Sequence, residues 1–352
     1  MNLYTVDLSG TKDIIDTFRS VIWTVQFFGM NDFELVVPAT EKNLSILTPR
    51  TLLVREADIT EAGFKNVMMV ENITIDFDTE KGWTMTCTGG GLKKILNQRI
   101  VWRQTNLSGT VEDGIRQVIT ENVISPSDSD RKIANFVLDT KKGYTETFDL
   151  QLLGESIGTW LSECGQTYGY GWDVGIRNGK YVFLLTKGVD RTYDQTAVVP
   201  VVFSPEYDNL ISSSYIYESN EYSNAALIGG EGEGESQRTA TIGTAQDLDR
   251  FETYIDGSGV SSNGEIITVQ TYMQMLRDYG KEQLAKTSFT EKVEGKIVQN
   301  DMYTIGVDYS LGDIVQIKNS FIDATSRIIE IIYSEDEDGS QLIPTFGSWE
   351  GE

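Results

Sequence analysis

The spacing of apolar and polar side chains predicts strands at both ends of the chain and helices in the middle. Ile73, Ile75 and Phe77 alternate with polar residues, which is typical of a strand with one buried face and one wet face. The runs "SVIWTVQFF", "NDFELVVPA" and "WTMTCTG" are similarly rich in β-branched and aromatic residues and are separated by turn residues. Residues 1 to about 105 therefore read as a small barrel or sandwich.

A helical period replaces this alternation after three consecutive glycines. Leu92, Ile95 and Leu96 recur at helical spacing and predict a short helix. Thr110 is placed to cap a second helix, whose first turn carries the acidic residues that a helix N-terminus favours. Further along, Asn178-Gly179 is a strong hairpin signal. These elements predict a small α+β unit.

The last part of the chain returns to strands, such as "PVVFS", "RTATIG" and "DIVQIKN", with one long helix at about 268–287. The prediction is a mainly β fold with an α+β insertion. We expect two β-barrel domains, residues 1–105 and 201–352, flanking an α+β domain at residues 106–200. A doubly wound parallel sheet would instead alternate strand and helix throughout.

Charge and composition exclude several classes of function. The chain has 29 basic and 53 acidic residues and a formal net charge of −24, which disfavours specific binding to nucleic acid. It contains no histidine, which excludes a Ser-His-Asp triad and zinc sites with histidine ligands. Cys87 and Cys164 are far apart, so we expect two buried thiols in a reducing cytoplasm. Neither a signal peptide pattern nor an apolar run of about 18 residues occurs, so no membrane span is predicted.

The stretch "IGGEGEGESQR" is the most conspicuous candidate site. A phosphate-binding loop needs converging backbone N–H groups, usually with a lysine and a helix N-terminus. This stretch has no lysine, and its glutamates would repel a phosphate group. Glu231, Glu233 and Glu235 could instead hold a hard cation, since such cations prefer carboxylate oxygens. We favour a strand end or hairpin whose glycines allow close backbone approach and whose glutamates remain in water.

A second glycine-rich stretch, "TGGGLKK", combines glycines, lysines and a helix start, but it lacks the spacing of a nucleotide-binding loop. We interpret it as a hinge between a barrel strand and a helix. Carboxylates are too numerous for one catalytic pair to stand out. We therefore predict no enzyme activity and no cofactor, and we assign no catalytic, cofactor-binding or metal-binding residue.

Several strings resemble, in their order and spacing, a family of siphovirus tail-tip proteins from phages and prophages of Gram-positive bacteria. They lie within about residues 30–347 and include "NDFELVVPAT", "GGGLKKILNQRIV", "GYGWDVGIRNGKYVFLLTKGVDRT", "SNAALIGGEGEGESQR" and "VDYSLGDIVQI". The family is similar to the N-terminal hub domain of tail-associated lysins and to the baseplate hub of contractile tails. In it, the "GVDRT" turn closes the insertion domain and "GEGEG" belongs to the second barrel. Gly90-Gly91 departs from the Gly-Arg of the family pattern, which leaves the contact of that arginine open.

The resemblance implies a homotrimeric structural hub at the tail tip or baseplate of the virion, assembled in the host cytoplasm. Three chains with two tail-tube-like barrels each would place six barrels around an axis and would adapt a six-fold tail to a three-fold tip. The implied partners are the distal tail ring protein, the C-terminus of the tape-measure protein, and a tip or receptor-binding protein. The charge of −24 per chain would give an acidic bore through which DNA slides during ejection.

Two alternative functions stay open at this point. A carbohydrate- or receptor-binding module would use exposed aromatic residues such as Trp172 or Tyr217, although we expect Trp172 in the core because it lies on a strand just before a hairpin turn. A glycosidase would use a carboxylate pair. Because the sequence stops at "TFGSWEGE", just past the end of the hub, we expect no cell-wall-degrading activity.

Overall fold

The computed structural model describes residues 1–80, 82–219, 222–264, 266–287, 290–297, 302–321 and 323–347, and most of its regular structure is β-strand. The α-helices of these residues are α1 Glu41–Ile46, α2 Val111–Ile119, α3 Ile157–Tyr168 and α4 Val269–Ala285. A π-helical turn, Thr120–Ile124, continues α2. Short 3-10 turns are Glu56–Asp58, Leu92–Gln98, Ser129–Arg131, Pro205–Tyr207, Gly234–Ser236 and Asp247–Asp249.

The strands fall into two groups, before and after residue 200. Those of the first group are β1 Leu3–Asp7, β2 Gly10–Ile15, β3 Ser20–Gln26, β4 Asp32–Pro38, β5 Leu52–Arg55, β6 Ile59–Thr60, β7 Gly63–Phe64, β8 Met68–Asp78, β9 Gly82–Gly91, β10 Thr105–Thr110, β11 Phe136–Leu138, β12 Thr147–Leu152, β13 Gly171–Arg177 and β14 Lys180–Thr186. Those of the second group are β15 Val202–Phe203, β16 Leu210–Glu218, β17 Ala225–Gly229, β18 Thr239–Ile242, β19 Glu252–Asp256, β20 Thr290–Ile297, β21 Ile314–Lys318, β22 Asp323–Asp336 and β23 Gly339–Gly347.

The largest sheet joins strands from the two ends of the chain. Its order is β16-β20-β23-β22-β3-β4-β9-β8-β5-β1-β2, and β21 and β15 extend it beside β22. At the junction, β3 pairs with β22 in antiparallel fashion, so that Trp23 lies opposite Tyr333 and Val25 opposite Ile331. Trp23, Val25 and Ile331 are buried in one apolar core with Phe203. Residues from both ends of the chain therefore fold against each other.

The expected mainly β fold class is confirmed. Within the described residues, no sheet closes into a barrel. The pairing of β3 with β22 instead gives an open path of strands that runs from β16 to β2. The division into two barrels, with boundaries near residues 105 and 200, stays a prediction.

Residues 105–186, here called the insertion unit, contain strands β10–β14 and the helices α2 and α3. β10 pairs with β12, and a second sheet runs β11-β14-β13-β7-β6. The cap predicted for α2 is present, since the Thr110 hydroxyl accepts a hydrogen bond from the Asp113 N–H at 3.2 Å. The predicted hairpin turn is also present: Asn178 and Gly179 have φ of 49° and 71°, and both values suit its left-handed geometry. Cys164 on α3 is fully buried, as expected.

Strands β17–β19 and helix α4, here called the small-sheet unit, have an apolar core of their own. β17 is the central strand, antiparallel to β18 and parallel to β19. The helix expected at about 268–287 spans Val269–Ala285. Its predicted stripe of Tyr272, Met275 and Leu276 packs in a cluster with Ile228 of β17. None of the described helices is both long and apolar enough to cross a membrane.

Candidate assembly surfaces

The distal half of the β8–β9 hairpin carries apolar side chains to the surface. The register places Ile75 opposite Met85 and Phe77 opposite Trp83, on the same side as the buried Cys87. Met85 is also buried, but Ile75, Phe77 and Trp83 are 47%, 58% and 58% exposed. The rings of Phe77 and Trp83 lie 5.0 Å apart. The expected buried face at Ile75 and Phe77 is therefore wrong for a single chain, because the hairpin extends beyond the core.

One edge of this hairpin is open. β5 pairs with β8 at Met68 and Met69, and the neighbouring backbone adds a bond to Val70. A bulge follows at Glu71, and beyond it no described strand pairs with the outer edge of residues 72–78. An open edge next to exposed apolar side chains is a template for pairing with another chain. We call this edge, together with Ile75, Phe77 and Trp83, the hairpin edge.

The solvent-facing side of the central strands is acidic and rich in hydroxyl groups. One row of neighbours across five strands consists of Ser334, Ile22, Glu34, Thr88 and Asn72. Further carboxylates on this side include Asp32, Asp76 and Glu330. No lysine or arginine occurs in residues 20–26, 32–38, 72–76, 84–90 and 330–334. We call this surface the acidic sheet face.

The glycine-glutamate stretch forms the turn that leads from β17 to β18. A Cβ atom on Gly230 would lie 2.3 Å from the Tyr272 hydroxyl and 3.0 Å from the backbone oxygen of Arg238, so a larger residue does not fit there. The expected role of the glycines, close approach of backbone and neighbours, is confirmed. Strand β18 contains the predicted run Thr239–Ile242.

Glu231 does not remain in water as expected, whereas Glu233 and Glu235 are exposed. The Glu231 carboxylate accepts hydrogen bonds from the Ser262 N–H at 2.6 Å, the Ser262 hydroxyl at 2.7 Å and the Ser261 hydroxyl at 3.0 Å. Partial burial would raise its pKa, but these donors and the nearby Arg238 outweigh that effect and hold the pKa below its usual value. Glu231 therefore fastens the loop after β19 to the turn after β17.

A metal site is not formed by this stretch. In the part of the chain that the structure describes, no group of three or more cysteine, aspartate or glutamate side chains is placed to hold a metal ion. The carboxylate of Glu231 is already engaged by serine donors. The cation hypothesis thus receives no support from the geometry.

The "TGGG" stretch is the end of β9 and connects directly to the 3-10 turn Leu92–Gln98. A Cβ atom on Gly89 would lie 2.0 Å from the backbone oxygen of Met69, and one on Gly91 would lie 2.8 Å from the Asn31 Cβ atom. These contacts require glycine because strand and helix meet closely here. The interpretation as a structural hinge agrees with this geometry.

A cavity of about 770 Å³ lies where the large sheet meets the insertion unit. The Nζ atom of Lys93 donates to the carbonyl oxygens of Gln26 at 2.8 Å and Trp172 at 3.3 Å. Arg55 forms a buried ion pair with Asp58 at 2.6 Å. The Lys93 contacts connect separate segments of the chain, and both Lys93 and Arg55 have structural partners.

The two aromatic candidates for a carbohydrate site differ in position. Trp172 is 3% exposed, and its indole N–H donates to the backbone oxygen of Phe28 at 3.0 Å, so the expected core position is confirmed. Tyr217 on β16 is 54% exposed. Only Tyr217 of these two could contact a glycan.

Comparison with known families places the chain among tail proteins. The family model described as Siphovirus ReqiPepy6 Gp37-like protein matches residues 1–348. The chain belongs to this family. The resemblance to a siphovirus tail family that the sequence suggested is thereby confirmed. Among curated protein sequences, none matches the chain.

Solved structures of tail proteins share the fold over nearly the whole chain. The prophage MuSo2 43 kDa tail protein from Shewanella oneidensis has a TM-score of 0.60 at 12% identity, and the match covers 98% of both chains. The tail protein from Neisseria meningitidis MC58 has a TM-score of 0.60 at 14% identity, covering 99% of this chain and 98% of that one. Prophage tail protein gp18 from Listeria monocytogenes EGD-e has a TM-score of 0.55 at 11% identity, covering 100% and 96%. At these identities the likeness concerns the fold.

Proposed function

We propose that this protein is the structural hub at the tip or baseplate of a siphovirus tail, where it forms a homotrimer that closes the distal end of the tail tube. Each chain supplies two tail-tube-like domains, residues 1–105 and 201–352, on either side of the insertion domain at 106–200. Six such domains then surround the axis and adapt a six-fold tail to a three-fold tip. Its partners are the distal tail ring, the C-terminus of the tape-measure protein, and a tip or receptor-binding protein.

The hairpin edge is the observation that supports self-association most directly. Its Ile75, Phe77 and Trp83 continue the buried face of the same sheet into solvent. A neighbouring copy that pairs with residues 72–78 would satisfy the open backbone groups and cover these side chains at the same time. A closed ring of copies also leaves no such edge exposed.

The acidic sheet face supports a lining function. Its carboxylates Glu34, Asp32 and Asp76 are exposed and lie opposite threonines of neighbouring strands, without lysine or arginine in the same strand segments. A surface of this kind repels the phosphate backbone, so DNA would pass without binding. We therefore propose that this face lines the bore.

The trimer is tested by measuring mass by light scattering after size exclusion, with and without the ring protein encoded beside this chain. We expect the mass of three chains in at least one sample and a single-chain mass for Phe77→Asp. The control is Phe251→Asp, which places the same charge on a half-exposed phenylalanine of the small-sheet unit and should leave the trimer intact. A wild-type monomer in both samples, or a trimer that Phe77→Asp does not affect, would contradict this assembly.

The bore is tested in the trimer with Glu34→Lys combined with Asp32→Lys. We expect the variant trimer to retain duplex DNA in a mobility-shift experiment at low salt, whereas wild type does not. Glu233→Lys combined with Glu235→Lys is the control with the same change in charge on an exposed turn. Equal DNA retention by both double variants would show that net charge alone acts, and that the acidic sheet face has no special position.

We also propose that the protein has no catalytic activity. The test is a zymogram of the purified chain on cell walls of the host, and clearing would contradict the proposal. The carbohydrate-binding alternative has one structural argument, the exposed ring of Tyr217. Saturable glycan binding that Tyr217→Ala abolishes would favour that alternative.

A further inference from the structure

The insertion unit and the small-sheet unit meet through a polar joint. Helix α4 packs its apolar side on β17–β19, and the core of the insertion unit is a separate cluster. Across the joint, the Asp278 carboxylate accepts from the Asp149 N–H at 3.0 Å, and the Gln151 amide exchanges hydrogen bonds of 2.7 and 3.0 Å with the Ser261 backbone. Contacts of this kind can open locally while both apolar cores stay intact.

Glu282 of α4 is the anomalous residue of this joint. It is 3% exposed, and its Oε1 atom has no hydrogen-bond partner among the residues that the structure describes. On α3, the buried hydroxyl of Tyr168 also has no hydrogen-bond partner within the described ranges. A buried carboxylate is stable only with hydrogen bonds or a counter-charge, so this environment favours the neutral carboxyl group.

The charges around Glu282 do not compensate it. The titratable groups of the joint are Glu155, Glu163, Cys164 and Tyr168 from α3 and the residues before it, Asp149 from β12, and Asp278, Tyr279, Lys281 and Lys286 from α4 and its end. Lys281 pairs with Asp278 at 3.0 Å, and Lys286 pairs with Glu163 at 2.9 Å. Both lysines therefore already have carboxylate partners. Burial, and then the negative charge of Glu163, raise the pKa of Glu282 to about 8.

We propose that this joint is a pH-sensitive conformational device in which protonated Glu282 holds α4 against α3, and loss of that proton releases the small-sheet unit from the insertion unit. An ionised Glu282 gains water only when the joint opens, so opening and proton release are coupled. The small-sheet unit moves together with α4 because the apolar contacts of Tyr272, Met275 and Leu276 are not disturbed. This inference does not depend on the proposed hub function.

The direction of the response follows from the two protonation states. In the open joint, Glu282 has the ordinary value of an exposed glutamate, and in the closed joint its pKa is about 8. The ratio of open to closed joint then rises about tenfold for each pH unit between about 4.5 and 8 and becomes constant above that range. Below about pH 4.5 the carboxyl group is protonated in both states and the response disappears.

The two cysteines provide a reporter and an internal reference. Cys164 on α3 is fully buried and close enough to Glu282 for that charge to raise its pKa further. Cys87 is fully buried in the core of the large sheet. The rate at which a thiol reagent labels Cys164, relative to Cys87, therefore reports opening of the joint, and peptide mass spectrometry separates the two sites.

The experiment compares wild type with Glu282→Gln on the full chain at pH 5.5, 6.5, 7.5 and 8.5. At each pH, the ratio of the Cys164 labelling rate to the Cys87 labelling rate in wild type is divided by the same ratio in the variant. This quotient cancels the ionisation of the thiols themselves. We expect this quotient to rise about tenfold per pH unit and to level off near pH 8. Glu235→Gln, an exposed change of the same charge, should behave as wild type.

Two outcomes would overturn the proposal. One is a quotient that does not change with pH, and the other is a wild-type response that Glu282→Gln retains. A second variant guards against misfolding of the first. Glu163→Gln removes the negative charge with the largest effect on the Glu282 pKa and frees Lys286 for Glu282, so it should reduce the response without abolishing it. An unchanged or larger response in Glu163→Gln would contradict the assigned electrostatics.

Discussion

Glu231 and Glu282 belong to the same small-sheet unit, yet their surroundings shift the pKa of the glutamate side chain in opposite directions. Glu231 accepts three hydrogen bonds from Ser261 and Ser262 and lies near Arg238, and its pKa is lowered. Glu282 is buried, one of its carboxylate oxygens has no partner in the described part of the chain, other carboxylates lie nearby, and its pKa is raised to about 8. Glu231 fixes a loop, and Glu282 makes the joint between the insertion unit and the small-sheet unit sensitive to pH.

The difference teaches that a conspicuous motif and an informative site need not coincide. The "GEGEG" motif is conspicuous in the sequence, but its Glu231 carboxylate accepts hydrogen bonds from serines and has a structural role. Glu282 lies in the ordinary helical run "GKEQLAK", and its importance comes from the partners that tertiary packing supplies or withholds. Three substitutions follow that would break or sharpen this comparison, and their expected effects decrease in order.

Glu231→Ala should have the largest effect. It removes a charged acceptor from the Ser262 N–H and from two hydroxyl groups, which we expect to lower the free energy of unfolding by about 3 kcal/mol. Denaturant unfolding measures this, and hydrogen exchange should show loss of protection in residues 257–264. Glu233→Ala, an exposed neighbour, is the control with an expected change within about 0.5 kcal/mol. Equal effects of both variants would show that Glu231 has no special role.

Glu282→Gln should stabilise the protein, and only at higher pH. The folded-state pKa lies above the unfolded one, so the stability that protonated Glu282 provides is complete below about pH 4.5 and is lost as the pH rises to about 8. The neutral glutamine avoids this loss, and we expect a gain of about 2 kcal/mol already at pH 6 and little at pH 4.5. Denaturant unfolding at several pH values checks this. Parallel curves for variant and wild type would contradict it.

Lys286→Ala should have the smallest effect on stability. The Lys286 ammonium group is half-exposed and pairs with Glu163, so its loss should cost about 0.5 kcal/mol. Its positive charge also opposes the rise in the Glu282 pKa, so the variant should titrate Glu282 at a higher pH than wild type. Carbon NMR of the glutamate side chains measures this titration. A Glu282 pKa that stays the same or falls would show that Lys286 does not act on it.

The sequence predicted local structure well where short-range chemistry decides it. Hydrogen bonding predicts the cap at Thr110, and backbone conformation predicts the left-handed turn at Asn178-Gly179. The helical period predicts the apolar stripe of α4. The family resemblance also follows from the sequence, and the family model matches residues 1–348.

The hairpin edge shows where a pattern misleads. Alternation correctly predicted the strand that contains Ile75 and Phe77, but it could not show that the strand leaves the core after Glu71. Period defines which side chains share a face, and only the neighbouring elements decide whether that face is covered. A signal was present in the matched alternation of Trp83, Met85 and Cys87, which makes the hairpin longer than the sheet beside it.

By itself, the sequence determined the strand-rich class, the positions of α2 and α4, the absence of histidine chemistry and the family. Tertiary structure alone decided that β3 pairs with β22, that Glu231 receives three hydrogen bonds, and that Glu282 receives none at one oxygen. The physical reason is the range of the interactions. Turns, caps and periodicity depend on residues a few positions apart, whereas strand pairing and the pKa of a buried carboxyl group depend on contacts between segments that the chain separates by a hundred residues or more.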